Sequence, residues 1–318
     1  MTWLLVTIVS YFLNAGVYVA DKFLLSKKFH SSITYAFYVG VWSILNFVIL
    51  IFVPYMPSLK WLLIDILAGG VFLLTIIFWY KALHQSEATR VVPIVGVLTP
   101  IFTLLLSVIF LNENLSQKHF ISFSVLMIGG ALISVKQTKV YIFSSVINRA
   151  RDLLGKVHVR YLPTQRLIIN STISAFCFAA YYVLIKYIYS HEPFLGSFVW
   201  SRLGTFIGVL LILLVPSWRE SIAEHQQNAE KKTNIYFFLG VRIIAAAAFI
   251  MLNWAISLGN VAMVNVLQGA QYLFLIIFVL ILSAKFPSIY KEELGRGVIL
   301  QKIAGVIFVS WGLYILIS

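Results

Sequence analysis

Residues Val95–Ser116 read VGVLTPIFTLLLSVIFLNENLS, an apolar run with a single proline, Pro100, near its centre and an abrupt polar stop at NENLS. In the interior of a soluble helix a proline costs about 3 kcal/mol or more, because one hydrogen bond is lost and the ring crowds the preceding turn. In lipid the freed carbonyl is satisfied by neighbouring helices, and the kink shapes a cavity instead of breaking the element. Simple packing is the other explanation for Pro100. Which solvent surrounds this stretch therefore decides how the chain folds.

The composition answers that question. Of 318 residues 61% are hydrophobic and only 11% charged, with 25 Phe, 16 Tyr and 8 Trp. Apolar stretches of about twenty residues recur along the chain, the length that crosses a bilayer as a helix. The class is an all-α integral membrane protein. Its lone cysteine, Cys177, excludes an internal disulfide framework. The apolar start MTWLLVTIVSYFLNAGVYVA has no basic leader and no small-residue cleavage site, so it reads as a retained first helix. The net charge of +13 is spread over short connections. That distribution suits lipid headgroups and membrane topology, and no nucleic-acid partner is expected.

Windows of about 19 residues predict ten transmembrane helices. They run over 2–20, 32–53, 62–82, 91–111, 118–135, 168–189, 194–215, 235–257, 261–284 and 298–317. A basic amphipathic linker, residues 136–166, divides the first five-helix repeat (1–135) from the second (167–318). The two halves echo one another. YVADKFLLSKKF at the end of the first span aligns with YVLIKYIYSHEP at the end of the sixth, pairing Tyr18 with Tyr182 and Lys22 with Lys186. KALHQSEATRVVPIVGVLTP aligns with WAISLGNVAMVNVLQGAQYL, pairing Ala82 with Ala255 and Gly96 with Gly269. An odd number of spans per repeat requires the second to be inserted upside down, which makes two inverted five-helix repeats of the transporter type.

The stretch ALHQSEATRVVPIVGVLTPIFTLLLSVIFLNENLSQKHFISFSVLMIGGALISV resembles the drug/metabolite transporter superfamily, EamA type. The resemblance rests on a helix with a central proline (Pro100), a short loop carrying Glu113, and a following helix with Gly129-Gly130. It implies a ten-helix secondary carrier, and many such carriers export amino acids and related metabolites. It also implies that both termini lie inside the cell. The second half departs from the pattern: Pro100 aligns with Leu273, and the glutamate loop becomes AKFPSIYKEELGRG, with Glu292 or Glu293 in the glutamate's place. Glu113 reads either as a cap or loop anchor or as a group used in transport.

Polar residues inside apolar spans mark the bundle interior or a water-filled cavity. Arg202 lies about eight residues, roughly 12 Å, into the seventh span. Lys186 ends the sixth span on the same membrane side, and the two could hold a carboxylate or phosphate. Alternatively Arg202 pairs with Glu192 and Lys186 marks the interface; an arginine at this place is common in the family it resembles. In the ninth span Asn265, Gln268 and Tyr272 share a face, with Gln271 beside them. In the first, Tyr11, Asn14 and Tyr18 do the same, and Tyr182 matches Tyr18 by repeat. Trp79, Tyr80, Trp200 and Trp254 are wall or anchor aromatics. Gly204 and Gly208 form a GxxxG pair, and Ala245–Ala248 smooths the eighth span, both suited to helices that pack closely or slide.

All eleven acidic residues are expected in loops or near span ends, with Asp21 the one candidate for ion coupling, so facilitated diffusion or exchange fits best. The six histidines are scattered at loops without HxxxH or HExxH spacing, so no enzyme, metal or cofactor is expected. The expected function is secondary transport of a small zwitterionic or anionic metabolite, an amino acid or related carboxylate, by a monomer exporting across the inner cell membrane. The alternatives are a carrier or flippase for a lipid- or nucleotide-linked sugar and a non-transporting receptor or scaffold. Side A is the side that receives the connections after spans 1, 3, 5, 7 and 9. It holds twenty Lys and Arg, against Lys60, Lys118 and Lys186 on side B. That bias puts both termini outside, against the family resemblance.

Overall fold

The structure, a computed structural model, describes residues 2–27, 31–85, 88–113, 115–134, 165–228, 235–283 and 296–317. The described residues are helical, with no strand among them. The linker 136–166 lies outside them except for its last two residues, and the loop with Glu292 and Glu293 lies outside them entirely. Seven helices are long and apolar enough to cross a membrane, and three shorter apolar helices lie over 117–133, 261–275 and 301–316. The chain is thus a multi-pass membrane protein.

The first half comprises α1 (Thr2–Lys27), α2 (Ser32–Val41), a 3-10 segment (Trp42–Val48), α3 (Ile49–Phe52), α4 (Leu59–Gln85), α5 (Ala88–Leu111) and α6 (Gln117–Ser134). The second half comprises α7 (Gln165–Tyr189), α8 (Phe194–Ile212), α9 (Pro216–Asn228), α10 (Ile235–Leu258), α11 (Val261–Val266), α12 (Gln268–Ser283) and α13 (Arg296–Ile317). The NENLS stop works as its composition suggests. Asn112 takes φ of 53°, a left-handed value that asparagine tolerates at a helix end, and the Ser116 hydroxyl accepts from His119 N–H at 3.3 Å to start α6.

Two predicted spans are not single helices. The second changes to 3-10 over Trp42–Val48, where side chains compete for the backbone. Ser43 Oγ donates to the Gly40 carbonyl at 2.6 Å, and Asn46 Nδ2 donates to the Ser43 carbonyl at 2.8 Å. The ninth is interrupted between α11 and α12, where Ala270 N–H bonds the Leu267 carbonyl three residues back. The short polar helix α9, opened by Pro216, follows the seventh span and packs on α2.

Apolar side chains face both inward and outward, as lipid permits. Tyr35, Tyr181 and Phe198 are fully buried, whereas Ile109, Leu214, Ile243 and Ile307 are exposed. The main packing pairs are α1 with α10 and α12, α7 with α4 and α5, α6 with α13, and α4 with α8. The α4–α8 seam depends on glycine: a Cβ on Gly204 would enter the Ile66 carbonyl, and one on Gly69 would enter the Ser201 carbonyl. Backbone cannot yield as a side chain can, so Gly204→Ala is expected to cost about 1–3 kcal/mol through overpacking. Gly70, with nothing within 4 Å of its Cβ position, is the control. Thermal unfolding in detergent should show a lower Tm for Gly204→Ala and an unchanged one for Gly70→Ala.

Candidate functional site

A cavity of about 200 Å³ lies among α1, the 3-10 segment, α4, α7, α8, α10 and α12. At about 30 Å³ per water it holds the equivalent of six or seven waters, the scale of a small metabolite. Its polar lining includes Tyr11, Asn14, Tyr18 and Asp21 on α1, Ser43 and Asn46 on the 3-10 segment, Tyr80 on α4, Arg242 on α10, and Gln268 and Gln271 at the start of α12. The aromatic lining comes from Phe72, Trp79, Phe178, Tyr182, Phe198 and Phe249. Both interrupted spans border it, as broken helices do where their backbone faces a cavity.

Arg202 is the cavity's most constrained cation. It is 3% exposed, and its guanidinium carbon lies 4.5 Å from the Phe72 ring centre, 5.0 Å from Phe249, 5.2 Å from Phe198 and 5.6 Å from Tyr181. Nη2 donates to Tyr181 Oη at 2.8 Å and to Ser201 Oγ at 3.3 Å. Tyr181 and Tyr189 each donate at 3.1 Å to Asn253 Oδ1, which fixes the ring that holds the arginine. No carboxylate among the described residues reaches Arg202, so pairing with Glu192 does not occur. Four rings partly compensate its charge, since a cation over a desolvated aromatic face gains about 2 kcal/mol or more. Arg202 is also one of the residues that line the cavity.

Other residues named from the sequence lie elsewhere. Asn14, Tyr18, Tyr182, Gln268 and Gln271 line the cavity with Arg202; Lys186, Asn265, Tyr272 and Trp254 do not. Asn265 is buried and donates to the Val261 carbonyl at 2.9 Å within its own helix. Tyr272 seats its hydroxyl against Gly96, the residue whose carbonyl loses its helical donor to Pro100. Trp254 is 41% exposed on the outer surface. Pro100 is buried in a continuous α5 and does not border the cavity. Gly204 and Gly208 face α4, against Ile66 and Leu73.

The two ends of the cavity region are tied differently. At end A the Asp21 carboxylate pairs with Arg242 across α1 and α10, and Tyr35 Oη donates to Asp21 at 2.8 Å. At end B Lys186 Nζ donates to the carbonyls of Gly259 at 2.8 Å and Ser257 at 3.3 Å, while Asn260 Nδ2 donates to Glu113 Oε2 at 2.8 Å. Burial pushes the Glu113 carboxyl above its ordinary value, opposed by the charge of Lys186 and by the Val261 N–H. Glu113 thus anchors the loop between α5 and α6 to the start of α11. Arg242 was legible from the sequence by the argument used for Arg202: it stands inside the apolar run IYFFLGVRIIAAAAF. The contributions of Asn46 and Phe249 carry no comparable signal.

Residues 1–135 match the model of the EamA-like transporter family. A solved crystal structure, described only as that of a protein, aligns with 99% of this chain and 96% of its own at 12% identity, with a TM-score of 0.62. At that identity the likeness is one of fold. No curated protein sequence matches the chain. Seven apolar helices make the chain a multi-pass membrane protein, and its first 135 residues are similar to EamA-like transporters.

Proposed function

We propose that this protein is a secondary carrier for a small zwitterionic or anionic metabolite, an amino acid or related carboxylate, exported across the inner cell membrane by a monomer. The observation that carries the proposal is Arg202, buried on the cavity wall with no carboxylate partner among the described residues. A cation in an apolar span without a carboxylate beside it is costly and marks a functional position. Neutral amides and phenols from α1 and α12 add polar lining, and the second cation there, Arg242, is already paired with Asp21. The cavity volume favours an amino acid over a nucleotide- or lipid-linked sugar.

Alternating access would run between two inverted repeats, 1–135 and 167–318. Supporting this, the pairings of α1 with α10 and α12 become those of α7 with α4 and α5 when the halves are exchanged, and α6 with α13 maps onto itself. The test is counterflow in proteoliposomes preloaded in turn with amino acids, organic acids and nucleotide sugars. Trans-stimulated uptake with one of the first two pools is the expected result. Stimulation by nucleotide sugars alone would transfer the site to a phosphate-bearing substrate, and stimulation by none would favour a receptor or scaffold.

The charge bias favours both termini outside. An epitope tag at either end should therefore react with antibody on intact cells; reaction only after permeabilisation would reverse the orientation.

A further inference from the structure

We propose that Asp65 is a proton-binding site, and that taking up the proton is what allows the α4–α8 seam to close. Asp65 sits six residues after the start of α4 and is 0% exposed. Neither of its carboxylate oxygens has a hydrogen-bond partner among the described residues. The Ser197 hydroxyl on α8 is equally buried and equally unpartnered.

The seam geometry brings the two to one level. Gly69 of α4 abuts Ser201 and Thr205 of α8, and Thr205 Oγ1 donates to the Gly69 carbonyl at 3.0 Å. The Gly204–Ile66 contact fixes the same register. These helices enter from end B and run the same way, so one turn back along both sets Asp65 level with Ser197 and Ser201.

A bare carboxylate enclosed there would incur several kcal/mol of desolvation with nothing to offset it. The neutral acid incurs far less. The seam therefore closes on the protonated form, and a carboxylate at Asp65 needs water, which reaches it when α8 separates from α4. The other ionisable groups nearby do not alter this. Tyr181 and Tyr189 on α7 lie within range of the Asp65 charge and are phenols engaged with Asn253. Arg202 on α8 is turned into its ring of aromatics, and Lys186 on α7 is held by the Gly259 carbonyl. Tyr55, ahead of α4, rests on Gly196, and His191 stacks on Trp61. The sequence expectation placed the acidic residues in loops or near span ends with Asp21 as the coupling candidate; Asp21 is committed to Arg242, and Asp65 is the enclosed carboxyl.

The experiment needs no knowledge of the carried metabolite. In a Cys177→Ser background reconstituted in nanodiscs, Ser197→Cys is labelled with a water-soluble maleimide across a pH series. Rates are divided by those of Ser190→Cys, an exposed position, to cancel the reagent's own pH dependence. The expected ratio rises with pH, by up to about tenfold per unit for a single linked proton. With Asp65→Asn added it stays low throughout. A flat ratio with Asp65 present, or an equal rise in Asp65→Asn, overturns the proposal, as does a ratio lowered by sodium but not potassium chloride at fixed pH. Infrared spectroscopy of the cysteine-free parent gives a second readout. The carbonyl stretch of a protonated carboxyl should be present at neutral pH and missing from Asp65→Asn; its absence from the parent also overturns the proposal. These readouts can succeed even if counterflow fails for every pool, so the proton site and the carrier function are judged separately.

Discussion

Arg202→Met lowers trans-stimulated exchange in proteoliposomes roughly 30- to 150-fold while leaving the melting temperature unchanged or slightly raised. A hydrogen bond to a charged group is worth about 1.5–3 kcal/mol, and a forked pair reaches the upper part of that range. At 1.4 kcal/mol per tenfold, about 2–3 kcal/mol gives the stated loss. Methionine keeps an unbranched side chain among Phe72, Phe198 and Phe249, so the wall stays filled while the charge is removed. Stability holds because a buried charge without a counter-ion contributes little to folding. Arg202→Lys should recover part of the exchange, since a lysine keeps the charge but neither stacks in the same way nor presents a fork. Exchange at the parental rate in Arg202→Met would reduce this arginine to a structural element and withdraw the main support for an anionic group in the substrate.

The second large effect is on stability. Asp21→Asn is expected to cost about 3 kcal/mol, because it leaves Arg242 facing a neutral amide at a site where the pair's side chains are only 10% and 13% exposed. For a chain of this size that corresponds to a Tm lower by roughly 5–10 °C. The double variant Asp21→Asn/Arg242→Gln should regain more than half of the loss, since two neutral amides carry no unpaired charge. Thermal unfolding of the four proteins of this cycle measures the coupling directly. Independent, additive losses would show that the ion pair between α1 and α10 contributes nothing beyond its two side chains. End B offers a contrast: Glu113 meets a neutral Asn260 amide, and truncating it should cost less.

Much of the fold was legible before any coordinates. Lipid demands long apolar helices that satisfy their own backbone, so the apolar runs placed every long helix to within a few residues at most ends. Where prediction failed, local chemistry intervened. Ser43 and Asn46 draw the second span into 3-10 geometry, and the ninth span breaks after Val266. Both are polar insertions in apolar runs, whose effect on helix continuity depends on what lies across from them.

The site divides along the same line. The sequence by itself determined the solvent, the membrane-spanning class, the resemblance to a transporter family, and the short set of polar residues too expensive to be incidental, Arg202 foremost. Helical spacing assigned Asn265, Gln268 and Tyr272 to one face, yet only Gln268 borders the cavity: the break between α11 and α12 separates Asn265 from it, and Tyr272, on the same helix as Gln268, seats its hydroxyl against Gly96. Only the tertiary structure decided that, among the described residues, Arg202 has rings around it instead of a carboxylate, Asp21 is committed to Arg242, and the Asp65 carboxylate has no hydrogen-bond partner. The physical reason is that in a bilayer burial costs an apolar side chain almost nothing and a polar one a great deal. The price of a polar group is therefore readable from its position in the chain, while the partner that offsets it comes from another helix and is set by packing alone.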